Sequence, residues 1–157
     1  MADPTPPESI RERILANCAT SLLAINGTGN YHHALSAVER GKAVPEDLQN
    51  LPVAFIEEGD ETYSQDTNLL LTRSLPITVE AWFRSEHGDL PTQSNRMLAD
   101  LERALLVDPL RGRLAQETTL VGNSTVRDES PGVLGSVRLQ LEVRSRLANG
   151  RRSSGYS

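Results

Sequence analysis

Residues 133–146 read VLGSVRLQLEVRSR, and apolar and polar side chains alternate without interruption from Gly135 to Arg144. Because successive side chains of a strand point to opposite faces of the sheet, this segment predicts a strand with one buried and one hydrated face. Strands that are buried on both faces read instead as continuous apolar runs. We therefore expect the strand to belong to an antiparallel or mixed sheet that is covered on one side.

The rest of the chain predicts two helices and four further strands. Apolar side chains recur with a period near 3.6 over about residues 8–24 and over 90–107, which indicates amphipathic helices. The further strands are expected at 31–40, 52–57, 69–84 and 118–128. Pro76 cannot donate a ladder hydrogen bond, so its strand is expected to lie at an edge or to bulge there. Because the helices are too few for a series of βαβ units, we predict an α+β fold: an antiparallel or mixed β-sheet with two main helices packed on one face.

The length of the chain sets its domain organisation. A chain of 157 residues can form one domain with a real core, and we predict a single domain over 1–157. Residues 1–7 form a Pro-rich entry, and residues 148–157 form an Arg/Ser-rich tail. The N-terminus lacks the basic start and apolar run of a signal peptide, and no apolar run approaches the ~20 residues of a membrane span. A membrane partner is therefore not expected.

Charge and cysteine content restrict the function further. The formal net charge of −5 disfavours non-specific binding to nucleic acid or to an anionic membrane. Cys18 is the single cysteine, which excludes an internal disulfide and a cysteine-based zinc site. It lies on the apolar stripe of the first helix, where a buried and inert thiol is expected.

Few residues in the sequence could carry chemistry. His32 and His33 would point to opposite faces of their predicted strand, so they cannot bind one metal ion together. Gly27-Thr28-Gly29 follows a helix, whereas a phosphate-binding loop follows a strand and opens a helix, so we expect it to stop the first helix. The sequence therefore predicts no catalytic residue, no metal ligand and no cofactor.

Two sets of residues are candidates for contact with partners. The first is an acidic cluster around Gly59, with the members Glu57, Glu58, Asp60 and Glu61. Like charges at this density resist packing, so we expect a solvated loop or hairpin tip, and the ligand spacing of a calcium loop is absent. The second set is Trp82, Arg144 and Arg146. Trp82 would either pack under a loop or stand exposed as an interface anchor, and the two arginines would be solvated or touch an acidic neighbour or a phosphate backbone.

Four segments resemble the tail terminator family of long-tailed bacteriophages, whose members are also called tail completion or minor tail proteins. They are LPVAFI at 51–56 with the acidic residues that follow, LPITVEAWF at 75–83, the helix 95–107 running into DPLRG at 108–112, and GSVRLQLEVR at 135–144. The order and spacing of these segments carry the resemblance, which covers about residues 8–146.

The resemblance implies a non-enzymatic α+β subunit that assembles into a homo-oligomeric ring, typically a hexamer. Such a ring caps the tail tube, ends its polymerisation and forms a joining surface for the head connector proteins. DNA passes through the lumen without specific binding, and an acidic chain suits this passage because phosphates are repelled. The implied location is the virion tail or neck, after assembly in the host cytoplasm. The acidic cluster is then expected to face the lumen or a neighbouring ring.

Two other functions remain open at this point. A different phage neck component, such as a head-completion or connector protein, would have a similar size and charge. A small α+β enzyme or ligand-binding domain would instead need a concave pocket with convergent polar groups.

Overall fold

The structure is a computed structural model that describes residues 6–41, 50–65, 70–85, 89–127 and 134–147. Within these residues the helices are α1 (Ile10–Leu23) and α2 (Leu90–Leu106). The strands are β1 (Ala37–Arg40), β2 (Val53–Glu58), β3 (Thr62–Gln65), β4 (Leu71–Arg84), β5 (Glu117–Arg127) and β6 (Leu134–Leu147). They form one sheet in the order β1-β2-β4-β6-β5, and β3 pairs with the first part of β4. β1 and β2 are parallel and the other pairs are antiparallel, so the predicted α+β fold with a mixed sheet is confirmed.

The long strands β4 and β6 form the centre of the sheet. Their antiparallel register places Ile77 opposite Leu141 and Val79 opposite Leu139. All four side chains are 1% exposed or less. Burying one such side chain completely stabilises the fold by about 1.5–3 kcal/mol relative to leaving it exposed. The alternation that predicted β6 therefore corresponds to one face of a strand in the middle of the core.

Both helices cover this face of the sheet. α1 packs over β1 and β2, and α2 packs over β6 and β5. α1 begins after Ser9, whose hydroxyl accepts a hydrogen bond from the Glu12 backbone N–H at 3.1 Å and so satisfies one of the unpaired N–H groups of the first turn. Cys18 is fully buried in the core, as predicted. Neither helix of the described segments is long and apolar enough to cross a membrane.

Pro76 lies in a central strand, so the expectation of an edge strand is wrong, but the expected irregularity is present, since the segment from Glu58 to Thr62 carries one residue more than the stretch of β4 opposite it. β2 ends opposite Ile77 and β3 begins opposite Ser74, which leaves a gap in the ladder beside Pro76. The Pro76 carbonyl accepts a hydrogen bond from the Gly59 N–H at 2.8 Å on this side. Because the N–H and C=O of one strand residue point to the same neighbour, the missing Pro76 N–H also faces the gap, where no ladder bond is lost.

The two adjacent histidines lie outside the sheet, so the strand predicted over 31–40 is wrong in its first half. β1 contains only Ala37–Arg40. The preceding residues form an irregular loop in which Gly27 and Gly29 have φ values of 75° and 64°, a region that glycine adopts readily. These glycines follow the end of α1, as expected. The loop then runs across to α2, where the histidines are bound.

Gly135 marks a close approach between β6 and its neighbours. A Cβ atom at Gly135 would lie 2.4 Å from Leu90 Cδ1 and 2.8 Å from Phe83 Cζ. We expect Gly135→Ala to lower the free energy of unfolding by about 1–3 kcal/mol, the usual cost of overpacking a core. Gly122→Ala in β5 is the matched control, because the nearest atom among the described residues would lie 3.7 Å from its Cβ. Urea denaturation measures both variants, and equal losses would contradict the expectation.

Candidate functional site

The acidic cluster lies at the corner of the sheet where β2 ends and β3 begins. Glu57 and Asp60 are exposed there. Glu58 and Glu61 are ion-paired instead, since Arg11 Nε lies 2.9 Å from Glu58 Oε2 and Arg11 Nη1 lies 2.9 Å from Glu61 Oε1. The hydrogen bonds that Arg11 donates to Glu61 and Glu58 raise the pKa of the Arg11 guanidinium. Glu58 is exposed, as predicted, whereas Glu61 is largely buried, and the arginine partner of both carboxylates was not predicted.

Further ion pairs at this corner connect α1 with three strands of the sheet. Arg40 of β1 lies 2.9 Å from Glu12 of α1 and 3.6 Å from Glu58 of β2. Arg73 of β4 lies 3.8 Å from Glu61. Each exposed pair contributes little alone, but a network of several charges holds its members in defined positions. The remaining exposed carboxylates are thereby presented on a rigid corner.

The Glu12–Arg40 pair makes stability depend on pH. The hydrogen bonds from Arg40 lower the pKa of the Glu12 carboxyl. A carboxyl whose pKa is lower in the folded state stabilises the fold above its unfolded pKa, about 4.3, and this stabilisation is lost as the pH falls through the folded pKa. We therefore expect Glu12→Gln to lower the free energy of unfolding by less than about 1 kcal/mol at neutral pH and to leave it unchanged in strong acid.

Thermal melts over the range from about pH 7 to about pH 3 test this expectation. Glu8→Gln is the matched control, since Glu8 is exposed and forms no ion pair with a described residue. The difference in Tm between wild type and Glu12→Gln should shrink on acidification, while the control stays close to wild type throughout. A difference that grows in acid would contradict the assignment.

Trp82, Arg144 and Arg146 lie on the face of the sheet opposite the helices. Trp82 is half-buried, and its indole N–H donates a hydrogen bond to Glu80 at 3.1 Å. Arg144 is exposed and lies 2.5 Å from Glu117 of β5. Arg146 is exposed two residues further along β6. Trp82 and Arg144 thus have partners within the sheet, and an interface role for the three residues stays a prediction.

A buried carboxylate that sequence analysis missed binds the loop before β1 to α2. Asp100 is 1% exposed and accepts hydrogen bonds from the backbone N–H groups of His32 and His33 at 3.0 and 2.8 Å. Asp100 Oδ2 also lies 3.0 Å from His33 Nδ1, and His33 Nε2 lies 3.0 Å from Gln93 Oε1. Because an ionised carboxylate only accepts hydrogen bonds, Nδ1 is the donor. These contacts hold the loop in place through its backbone.

Arg111 is the largest fully buried side chain among the described residues, and sequence analysis did not single it out. Its guanidinium donates hydrogen bonds to the backbone carbonyls of Leu105 and Asp108, and its Nη1 lies 3.7 Å from Cys18 Sγ. The last carbonyls of a helix lack partners within the helix and attract positive charge. Arg111 therefore caps α2 and joins its end to α1. Burial raises the pKa of the Cys18 thiol, which suits the inert role that was predicted.

The capped end of α2 carries exposed apolar side chains. The α2-end patch comprises Leu106, Val107 and Leu110, which are 42%, 73% and 45% exposed. It borders a groove of about 530 Å³ that lies between α2 and the loop containing Asn30 and His32. These three exposed apolar side chains lie within five positions of the chain, and exposed apolar surface marks sites that contact other molecules.

Within the part of the chain that the structure describes, the sheet has free edges of different sequence on its two sides. β5 forms one edge, while β1 and β3 lie on the other side. Every residue of β3 is exposed, and Tyr63 is 60% exposed. A free edge presents unpaired N–H and C=O groups to which another chain can add. The described residues therefore define an α+β domain whose free edges and apolar patch suit association with other chains.

Comparison with known proteins identifies a distant structural likeness. The sequence matches no protein-family model and no curated protein. Among solved structures, the chain is similar to a chain of the "Virion of native gene transfer agent (GTA) particle", with a TM-score of 0.42 and 12% identity over 88% of this chain and 92% of that chain. A likeness at this level assigns no function, and the resemblance to tail terminators stays a prediction.

Proposed function

We propose that this chain is a structural, non-enzymatic subunit of a long-tailed phage or phage-like virion and acts as its tail terminator. Copies would form a ring, a hexamer by the sequence resemblance, that caps the tail tube and ends its polymerisation. The same ring would provide the joining surface for the head connector, and DNA would pass through its lumen. The proposal is supported by the resemblance over about residues 8–146 and by one structural observation, the unlike free edges on opposite sides of the sheet.

Two sheet edges of different sequence favour a head-to-tail contact between copies. A contact between two different surfaces of the same chain is heterologous, and it closes into a ring when the rotation between neighbours permits. Assembly of this kind covers both free edges of every subunit, which removes the template for uncontrolled strand addition. The edges of this sheet therefore support a closed ring better than a two-fold dimer.

The charge of the chain also supports the proposal. With a net charge of −5, a ring of several copies would repel the phosphates of DNA in its lumen instead of binding them. Glu57 and Asp60 are exposed and form no ion pair with a described residue. They are therefore the members of the acidic cluster that remain free to act on a lumen or on a neighbouring subunit.

Electron microscopy of particles assembled without the chain tests the proposed function. We expect tails that grow beyond their normal length and fail to join heads, because nothing ends tube polymerisation. Supplying the wild-type chain in trans should restore the normal length. Heads that leak DNA beside tails of normal length would instead favour a head-completion protein of the neck. Turnover of a substrate by the purified chain would contradict a purely structural role.

A further inference from the structure

We propose that neighbouring copies of the chain bind head to tail, with Tyr63 of one copy packed against the α2-end patch of the next. The inference rests on the proposed function, because a ring needs one heterologous contact that is repeated around it. It adds the surfaces that meet at this contact and the residues that determine its direction. The partner is a second copy of this chain.

The two surfaces lie over different parts of the sheet. β3 and β5 are separated by β4 and β6, so they lie three strand spacings apart, about 14 Å. α2 covers β6 and β5, and the turn after it is joined to β5 by a hydrogen bond of 2.7 Å from Thr118 Oγ1 to the Pro109 carbonyl. The α2-end patch therefore lies over the half of the sheet formed by β6 and β5, where Arg111 also joins it to α1, and Tyr63 lies at the β3 side.

Both surfaces also project from the same layer of the fold. Tyr63 lies directly opposite Arg73 on β4. Arg73 is on the face that carries the core, because it lies two residues before the buried Leu75 and beside Glu61, the partner of Arg11 on α1. Tyr63 is therefore level with the helices, and a neighbour placed at the β3 side can bring its own α2 end against it.

The exposed side chains on the two surfaces suit burial against each other. Tyr63 is 60% exposed on a strand of otherwise polar residues. Tyrosine is enriched among the residues that dominate binding energy in interfaces, and such residues pack into apolar surroundings on the partner. The exposed apolar side chains of the α2-end patch offer such surroundings.

Charges on the two surfaces are complementary. Asp60 is exposed beside β3, whereas Arg103 and Arg113 are exposed near the α2-end patch. None of the three forms an ion pair with another described residue. A head-to-tail contact brings the carboxylate of one copy to the arginines of the next. A two-fold contact of either surface with itself would bring like charges together, which is unfavourable.

Cysteine cross-linking of the full-length chain tests the contact. Cys18 is fully buried, so engineered surface cysteines supply the reactive thiols. Three variants are compared: Tyr63→Cys, Val107→Cys and the combination of both. Each is oxidised once as the purified chain and once in assembled particles. We expect the double variant to form a ladder of covalent oligomers up to the ring order, and a mixture of the single variants to form dimers only. Each single variant alone should stay monomeric.

A matched double variant and a charge exchange make the test specific. Tyr63→Cys combined with Gln140→Cys should form no ladder, because Gln140 is exposed on the opposite face of the sheet. Adding Asp60→Arg to the Tyr63/Val107 double variant should slow cross-linking about two- to fivefold, the range for exposed ion pairs. Adding Arg113→Asp as well should restore the rate.

Several outcomes would overturn the contact. Cross-linking of either single variant with itself would show a two-fold interface, and the absence of a ladder in both the purified chain and particles would exclude the proposed pair. If the ladder is absent but particles without the chain still have overlong tails, the contact is wrong and the proposed function stands. A ladder from a chain whose loss leaves tails unchanged would support the contact and contradict the function.

Discussion

Asp100→Ala is expected to lower the free energy of unfolding by about 2–4 kcal/mol. The wild-type carboxylate is 1% exposed and accepts hydrogen bonds from two backbone N–H groups and from the His33 ring. Alanine leaves these donors without a partner, and the cost of an unsatisfied buried group exceeds the net gain from an ordinary hydrogen bond. Urea denaturation monitored by circular dichroism measures the loss.

Two further variants distinguish the loss of the hydrogen bonds between Asp100 and the histidine loop from a general effect on α2. Glu102→Ala removes an acidic side chain two residues further along the helix and should change stability by no more than about 0.5 kcal/mol. The loss of stability in Asp100→Asn should lie between the losses in Asp100→Ala and Glu102→Ala. The amide oxygen of asparagine still accepts hydrogen bonds, but its NH₂ group faces donors. If Glu102→Ala costs as much as Asp100→Ala, the assigned role of Asp100 is wrong.

Arg111→Ala is expected to lower the free energy of unfolding by about 3–5 kcal/mol, the largest effect among the substitutions considered. It removes a fully buried side chain and leaves the carbonyls of Leu105 and Asp108 without their guanidinium donor. Arg111→Met should cost less, because methionine fills most of the space and removes a buried charge that has no carboxylate partner among the described residues. Chemical denaturation of both variants measures the difference.

Arg113→Ala is the matched control for Arg111→Ala. Both arginines have a positive φ, 49° at Arg111 and 70° at Arg113, so alanine meets a similar backbone cost at either position. Arg113 is exposed and has no hydrogen-bond partner among the described residues, so its replacement should change stability by about 0.5 kcal/mol or less. Comparable losses at the two positions would mean that backbone conformation, and not capping of α2, is the cause.

The partners of the charged side chains could not be predicted from the sequence. Glu58 and Glu61 stand in an acidic run, and the arginine that pairs with them is 47 and 50 residues away in the chain. One signal for Asp100 is present, because it falls on the apolar stripe of α2 between Met97 and Ala104, where a charge implies a buried partner. Arg111 has no such signal, since a basic residue in a turn is ordinarily solvated.

The amino-acid sequence alone determined the α+β fold, the buried face of β6 and the order of the two helices and five of the six strands; β3 lies where a loop or hairpin tip was expected. These features follow from side-chain periodicity, which is local and can be read along a single segment. Only the tertiary structure decided that Pro76 lies in a central strand, that the histidines bind α2 and that two of the four clustered carboxylates are neutralised. Each of these depends on which distant segments lie side by side, and strand register and helix packing determine that only after the core has formed.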